Sequence, residues 1–372
     1  MRHSVRKRGH HRAHFAQSSG TWFPWLDSAK GFGIILVVLG HASLLGHLNQ
    51  VLYSFHMPLF FIISGMLFKP HPLKEVLGKK VRRLLVPYLT FASLTFIYWA
   101  LLERRFRPGN YSVPEAFINI FLARGGSEYN PYDVVLWFLP CLFVAELLFA
   151  GVHMLVQRLS TRSVMLPTVA IVLSAVGFFL LGGLLQSFHL PRLPFTADVV
   201  PFAYGCYVIG WLIRPCIPRM QQVANMGGIV RWIMLLPAGL LFAFTAVLTL
   251  RTGLKVDFNN AVVSSVPLLV VTAVAGSAAT FMLCIAVDNR VLKYLGGASL
   301  TIMCVHDPIK RIVIILASKA LHMESGVVRT QALPLMGIVV ITLLCSVAVH
   351  EVLKRTIPQA LGMNGKKEQT GR

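Results

Sequence analysis

Long apolar stretches alternate with short basic or polar segments along the whole chain. The first of them, Gly31–Phe68, runs for 38 residues without one Lys, Arg, Asp or Glu. An α-helix needs about 20 residues to cross the hydrocarbon core of a bilayer. The pattern therefore predicts an all-α, polytopic transmembrane helical bundle of about ten spans. The predicted spans are Leu26–Leu45, Val51–Phe68, Leu84–Leu102, Val134–Val156, Val164–Gln186, Asp198–Ile213, Trp232–Leu250, Ala261–Val287, Ser299–Ala317 and Leu333–Leu353.

Composition supports one membrane domain rather than several soluble ones. Of the 372 residues, 55% are hydrophobic and 13% are charged, whereas a soluble domain carries about 25% charged residues. No shift in composition divides the chain. The predicted organisation is a basic, disordered tail over residues 1–25, a membrane domain over 26–355 and a second basic tail over 356–372.

The net charge of +21 indicates membrane topology rather than nucleic-acid binding. The basic residues cluster at the ends of the apolar stretches, as they do on the cytoplasmic side of membrane proteins, where anionic lipids are their partners. With both termini in the cytoplasm, the predicted cytoplasmic segments hold 23 Lys and Arg residues and the outer segments hold 9. The predicted outer segment Glu103–Pro131 departs from this charge distribution, because it contains three closely spaced arginines.

Histidines in the first apolar stretch are the first candidates for chemistry. His41, His47 and His56 lie in a stretch where a titratable group is costly and needs a reason. His47, near the outer end of the first helix, is predicted to lie at the membrane interface. Lys30 and His41 are eleven positions apart, so they share a helix face about 16 Å apart along the axis. Asp27 lies one turn before Lys30 and can pair with it. His41 is either a general base for a hydroxyl or a histidine that only packs and hydrogen-bonds, and His56 could face the same cavity.

A basic cluster precedes the third predicted span. Lys79, Lys80, Arg82 and Arg83 lie where that span enters from the cytoplasm. Arginine forks and lysine point charges bind phosphates, so the cluster could hold a soluble donor that carries a diphosphate. The alternative is that these residues only anchor the helix on the cytoplasmic side.

A third group lies in the ninth predicted span, where His306, Asp307, Lys310 and Arg311 follow one another closely. Asp307 can reach Lys310 or Arg311 at helical spacing. Charges this deep should face a wet cavity or each other. We expect Pro308 to break the helix at this point and to free carbonyls toward that cavity.

Four segments resemble the acyltransferase-3 family of integral membrane O-acyltransferases, in particular its fucose 4-O-acetylase-like branch. They are LDSAKGFGIILVVLGH, which contains Lys30 and His41, SFHMPLFFIISG at Ser54–Gly65, the basic pair that leads into LLVPY at Arg82–Tyr88, and YLGGASLTIMCVH at Tyr294–His306. LWFL at Leu136–Leu139 is a weaker companion. The segments follow the family's order, so the resemblance spans the chain.

The resemblance implies a multi-pass enzyme of the bacterial inner membrane. It implies acetyl-CoA as donor, no metal, and a glycan acceptor, either a cell-surface polysaccharide or its lipid-linked precursor. His41 would be the essential histidine, as general base or as acyl carrier, with Lys30 as its basic companion. The residues from Lys79 to Arg83 would hold the phosphates of CoA. From the buried charges alone, a proton-coupled transporter of a lipid-linked sugar or a small anion is the alternative.

Overall fold

The computed structural model describes residues 23–106, 109, 111–159, 165–188, 191–226 and 228–363. These residues form seventeen α-helices and one short β-hairpin. In chain order the helices are α1 (Pro24–Ala42), α2 (Gly46–Tyr53), α3 (His56–Met66), α4 (Leu73–Lys80), α5 (Val86–Tyr98), α6 (Arg104–Phe106), α7 (Val113–Leu122), α8 (Phe138–Leu159), α9 (Met165–Ser187), α10 (Val200–Ile213), α11 (Ile217–Asn225), α12 (Ile229–Ile233), α13 (Leu235–Thr252), α14 (Val266–Ala286), α15 (Arg290–Leu321), α16 (Ser325–Val328) and α17 (Ala332–Thr356). The all-α prediction is confirmed, and most of both predicted tails lies outside the described residues.

Short irregular turns and two strands complete the chain. Wider, π-type turns occupy Val81–Leu85 and Trp99–Glu103, and tighter 3-10 turns occupy Pro194–Thr196, Arg214–Cys216 and Pro358–Leu361. The hairpin between α13 and α14 pairs β1 (Val256–Asp257) with β2 (Val262–Val263) in antiparallel register. The side chain of Gln186 fixes the hairpin to the end of α9 by bonding both the N–H and the C=O of Val263.

Among the described residues, eight helical segments are long and apolar enough to cross a membrane. They correspond to eight of the ten predicted spans. The predicted span Val51–Phe68 contains α3, which has only 11 residues and is too short for a straight crossing. The predicted span Ser299–Ala317 lies inside α15, a helix of 32 residues whose middle is charged. The multi-pass bundle is thus confirmed, while these two elements differ from ordinary spans.

The predicted break at Pro308 is wrong, because α15 continues through this residue. Proline removes one backbone N–H from the helix and crowds the preceding turn. Here the surrounding turn is buried on both sides of the proline, from Thr301 to Lys310. Packing of this turn inside the bundle therefore outweighs the local cost.

Helices α1 and α15 cross in close backbone contact at a pair of glycines. A Cβ atom added to Gly31 would lie 1.9 Å from the carbonyl oxygen of Leu292, and one added to Gly296 would lie 1.9 Å from that of Asp27. Only glycine allows such an approach, and small residues serve this purpose in membrane bundles. The crossing places the N-terminal ends of the two helices side by side.

A second crossing of the same kind joins α3 to α10. A Cβ atom on Gly65 would lie 1.9 Å from the carbonyl oxygen of Tyr207, and one on Gly210 would lie 1.9 Å from that of Ile62. This contact holds the short helix α3 in the centre of the bundle, where nearly all its residues are buried. Helices α9 and α13 expose much of their apolar surface and lie at the periphery.

Candidate functional site

The crossing of α1 and α15 brings two histidines together. His41 lies ten residues after Gly31, and His306 lies ten residues after Gly296. Because the helices run parallel from this contact, equal steps along both bring the two side chains to the same level, about 15 Å further on. The centres of the two imidazole rings are 5.4 Å apart. The parallel direction agrees with the predicted order of crossings.

The two rings differ in their surroundings. The side chain of His306 is fully buried, and its Nδ1–H donates to the carbonyl oxygens of Ile302 at 2.9 Å and Met303 at 3.1 Å. His41 is partly exposed and lies in the last turn of α1. Arg329 holds the end of that turn, since its guanidinium donates to the carbonyl oxygens of Ala42 at 2.8 Å and His41 at 3.3 Å.

Tyr53 connects His41 to the other candidate histidine of this stretch. The ring of Tyr53 lies 6.1 Å from that of His41 and 5.0 Å from that of His56. His56 is buried, and its Nδ1 bonds the carbonyl oxygen of Leu52 at 2.6 Å. The structure therefore places His56 in the same cluster, one ring further away. Tyr53 was not among the residues that we predicted, although it lies about one helical turn before His56.

A network of charges begins next to His306. Asp307 accepts from Lys310 Nζ through one carboxylate oxygen and from Arg311 Nη2 through the other, both at 2.5 Å. Arg311 also donates to Glu103 and to the carbonyl oxygen of Pro131, both at 2.9 Å. Asp307 thus reaches both of its predicted partners. The predicted outer segment covers the cluster, and its residue Glu103 was not identified from the sequence.

Asp133 is a second acid that sequence reasoning missed. Its side chain is fully buried, Oδ1 accepts from the N–H of Val135 at 3.3 Å, and Oδ2 has no hydrogen-bond partner among the described residues. It lies between α7 and α8, close enough to interact electrostatically with Asp307, Lys310 and Arg311. Burial, and then the negative charge of Asp307, raise the pKa of Asp133 well above its ordinary value. The surroundings of this carboxyl therefore favour its neutral form.

Asp27 and Lys30 form the predicted ion pair but do not contact His41. Lys30 Nζ lies 2.9 Å from Asp27 Oδ1, and both side chains are partly exposed. The eleven positions between Lys30 and His41 correspond to about 16 Å along α1. The pair lies at the glycine crossing, at the predicted cytoplasmic end of the helix.

The basic cluster of α4 and the following turn is divided between two environments. Lys80 Nζ lies 2.7 Å from Glu146 Oε2, and Glu146 is buried in α8. Lys79 is exposed and lies 3.7 Å from Glu75. Arg82 and Arg83 are exposed. Lys80 therefore neutralises a buried acid, while the arginines and Lys79 present their charges at the surface.

This arrangement suits proton-transfer chemistry at His41. His41 is an imidazole at the edge of the cluster, and buried rings and an ion-pair network hold its surroundings in place. Neutral imidazole can take a proton from a hydroxyl or attack an activated carbonyl through its free nitrogen. The lysines and arginines are too far along the helices, or too fully paired, to replace it as a base.

Comparison with known proteins gives one match. A family model described as an acyltransferase domain matches residues 23–351, which include every site residue described above. No curated protein and no solved structure matches the chain.

Proposed function

Because the chain belongs to the acyltransferase-3 family of membrane acyltransferases, we propose that it transfers an acetyl group from acetyl-CoA to a hydroxyl group of a sugar. The proposed acceptor is a cell-surface polysaccharide or its lipid-linked precursor, and the proposed location is the bacterial inner membrane. The resemblance of four segments to fucose 4-O-acetylase-like enzymes supports a sugar as acceptor. Family membership favours this function over the transporter that the buried charges also suggested.

The observation that carries the proposal is the environment of His41. Within the described residues, His41 is a partly exposed imidazole that packs against two other rings, His306 and Tyr53. An imidazole in its neutral form has a lone pair that can accept a proton, so it can act as a base at neutral pH. His41 lies about 16 Å along α1 from Lys30, at a depth where a donor and an acceptor from opposite sides of the membrane could meet.

We place the donor at the predicted cytoplasmic end. The exposed Arg82, Arg83 and Lys79 suit the diphosphate and the additional phosphate of CoA. Lys80 contributes less, because Glu146 already holds its ammonium group at 2.7 Å. Lys30 stands on the face of α1 that leads from this end toward His41, where its positive charge would stabilise the donor. The pantetheine arm then carries the thioester to His41.

Two routes of transfer fit this geometry. In the direct route, His41 takes the proton of the acceptor hydroxyl, whose oxygen bonds the acetyl carbon as the carbon–sulfur bond breaks. The thiolate leaves and receives the proton from His41. In the second route, His41 attacks the thioester first, and the acceptor hydroxyl then takes the acetyl group from the imidazole. In both routes the products are the sugar ester and free CoA.

The proposal is tested by the O-acetyl content of exopolysaccharide and lipopolysaccharide in a strain that lacks the protein. NMR should show the loss of O-acetyl groups from one of these glycans, with recovery when the wild type is restored. We expect His41→Ala to restore nothing, because the base or acyl carrier is missing. His47→Ala is the matched control and should restore acetylation, since His47 is exposed on α2. Full recovery with His41→Ala, produced at the wild-type level, would contradict the assignment.

A further inference from the structure

His306 has one ring nitrogen that is fixed and one that is unpaired. Its Nδ1 bonds the carbonyl oxygens of Ile302 and Met303. A carbonyl oxygen only accepts, so Nδ1 carries the hydrogen and Nε2 carries the lone pair. Nε2 is buried and has no hydrogen-bond partner within the described part of the chain. Leaving a buried acceptor unpaired costs free energy, so we expect a hydrogen-bond donor to face this nitrogen.

The ring beside this nitrogen is that of His41. The Nδ1 edge of His306 faces the carbonyls of its own helix, so the Nε2 edge faces away from the backbone of α15. At this level α1 lies beside α15, and the rings of His41 and His306 are 5.4 Å apart. At this separation, facing nitrogens of two imidazoles can approach hydrogen-bonding distance, about 3 Å, with a small rotation.

The nearest carboxylate does not compete for this role. Asp307 follows His306 in the chain, but both of its oxygens are engaged, one by Lys310 and one by Arg311. The other titratable groups that interact electrostatically with His41 are Lys310 and His56. A lysine ammonium group donates only, and the ring of His56 packs on Tyr53 but, unlike that of His306, makes no ring contact with His41 among the described residues. His306 is thus the available acceptor for an N–H of His41.

We propose that His306 positions His41 by accepting a hydrogen bond from one of its ring nitrogens, so that the other ring nitrogen keeps its lone pair toward the substrates. This inference rests on the function proposed above. In the direct route, His41 takes the proton of the acceptor hydroxyl while its other N–H stays bonded to His306. In the acyl-carrier route, the acetyl carbon bonds His41 as its bond to sulfur breaks and the thiolate leaves, and the N–H of His41 passes its proton to His306 Nε2, so the acyl-imidazole is neutral. When the acceptor oxygen then takes the acetyl group, that proton returns to His41, and the hydroxyl proton neutralises the thiolate of CoA. His306 touches neither substrate, so it acts through His41.

Three substitutions separate this role from simple packing. His306→Leu fills the space but accepts no hydrogen bond, whereas the amide oxygen of His306→Gln can accept one. His350→Gln is the matched control, because His350 is also buried, packs α17 against α15 and bonds Thr301 at 2.7 Å, away from His41. The assay is the initial rate of label transfer from radiolabelled acetyl-CoA to the glycan of inverted membrane vesicles. It yields a maximal rate, normalised to the amount of protein, and an apparent KM for acetyl-CoA.

We expect His306→Leu to lower the maximal rate about 100-fold or more with little change in KM, since base catalysis contributes at least that much. The maximal rate of His306→Gln should be about tenfold higher than that of His306→Leu. His350→Gln should keep the wild-type rate. Equal rates for the Leu and Gln variants would overturn the inference. If His306→Leu does not fold, His306→Met, an unbranched apolar replacement, takes its place in the same comparison. If the apolar variant is as fast as the wild type while His41→Ala is inactive, this inference alone is overturned. If the wild-type protein itself transfers no label, the proposed function is overturned as well.

Discussion

Two buried acids in the site have opposite electrostatic surroundings. Asp307 has a basic partner for each carboxylate oxygen, Lys310 and Arg311. Asp133 has only the N–H of Val135 as a hydrogen-bond donor in the described residues, and the negative charge of Asp307 is close to it. Asp307 forms an ion pair through each oxygen, whereas burial raises the pKa of Asp133 and favours its neutral form. One carboxylate therefore stabilises two cations, and the other lies where a negative charge is costly.

The two acids should respond differently to conversion into an amide. Asp307→Asn leaves Lys310 without its buried counter-charge and leaves Arg311 with Glu103 alone, and we expect the free energy of unfolding to fall by about 3–5 kcal/mol. Asp133→Asn resembles the neutral acid in shape, so its effect at pH 4, where the same acid in the unfolded chain is also partly protonated, should be within about 1 kcal/mol. Thermal unfolding of the two purified variants in detergent measures the difference. Equal destabilisation by both substitutions would contradict the assigned charge states.

The difference in stability between Asp133→Asn and the wild type should depend on pH. The pKa of Asp133 is raised in the folded protein, and in the unfolded chain it returns to about 3.9. This acid therefore favours folding fully below that pH, and its contribution is lost as the pH rises toward the folded pKa. The stability of Asp133→Asn relative to the wild type should accordingly rise between pH 4 and pH 7, as the wild type loses this contribution. A difference in stability that stays constant over this range would contradict the raised pKa of Asp133.

At the scale of secondary structure, the contact of α1 with α15 forms the site. Gly31 and Gly296 let the backbones touch, and the parallel direction then brings His41 level with His306. Packed helices shift as rigid bodies, so a wider spacing of α1 and α15 at the glycines would also move His41 away from His306. The site is therefore sensitive to a contact about three turns away from it.

Neighbouring glycines of α15 provide a matched test of this dependence. In Gly296→Ala the new Cβ would lie 1.9 Å from the carbonyl oxygen of Asp27, whereas in Gly297→Ala it meets no atom within 4 Å. We expect Gly296→Ala to lower both the unfolding temperature and the rate of acetyl transfer by a large factor. Gly297→Ala should keep the rate and gain up to about 1 kcal/mol from helix propensity. Similar rates in the two variants would show that the crossing does not set the His41 geometry.

Local spacing predicted the contacts within one helix, but not those between helices. The pairing of Asp27 with Lys30 and of Asp307 with Lys310 follows from steps of three residues, and the structure contains both pairs. The contact of His41 with His306 joins residues far apart in the chain, and helical phase alone cannot predict which faces meet.

Packing also explains what the sequence did not reveal. Glu103 and Asp133 belong to the predicted outer segment and its continuation, and they reach the site only because that segment folds over α15. Pro308 did not end the helix because its neighbours are buried around it. The short length of α3 was likewise hidden, since its apolar stretch continues into α2 and the following turn. Each of these features depends on tertiary contacts that composition and periodicity do not encode.

At the scale of the whole molecule, the bundle separates a basic end from the end that holds the histidines. The cluster from Lys79 to Arg83 lies at the end where α1 begins, and His41 lies in the last turn of that helix. The distribution of Lys and Arg predicts that the basic end faces the cytoplasm. The account therefore requires the donor to arrive from one side of the membrane and the acceptor to be reached deeper in the bundle.

The most direct test of this account supplies radiolabelled acetyl-CoA to one side of the membrane only. Inverted vesicles, which expose the cytoplasmic face, and right-side-out vesicles are prepared from strains that produce the wild type or His41→Ala, and label in the glycan fraction is measured. We predict incorporation by inverted wild-type vesicles, little by right-side-out ones, and none above background by either preparation of His41→Ala. The central claim is that the donor is cytoplasmic and that His41 receives either its acetyl group or the proton of the acceptor hydroxyl. Equal incorporation by His41→Ala and the wild type, or equal incorporation from both faces, would contradict it.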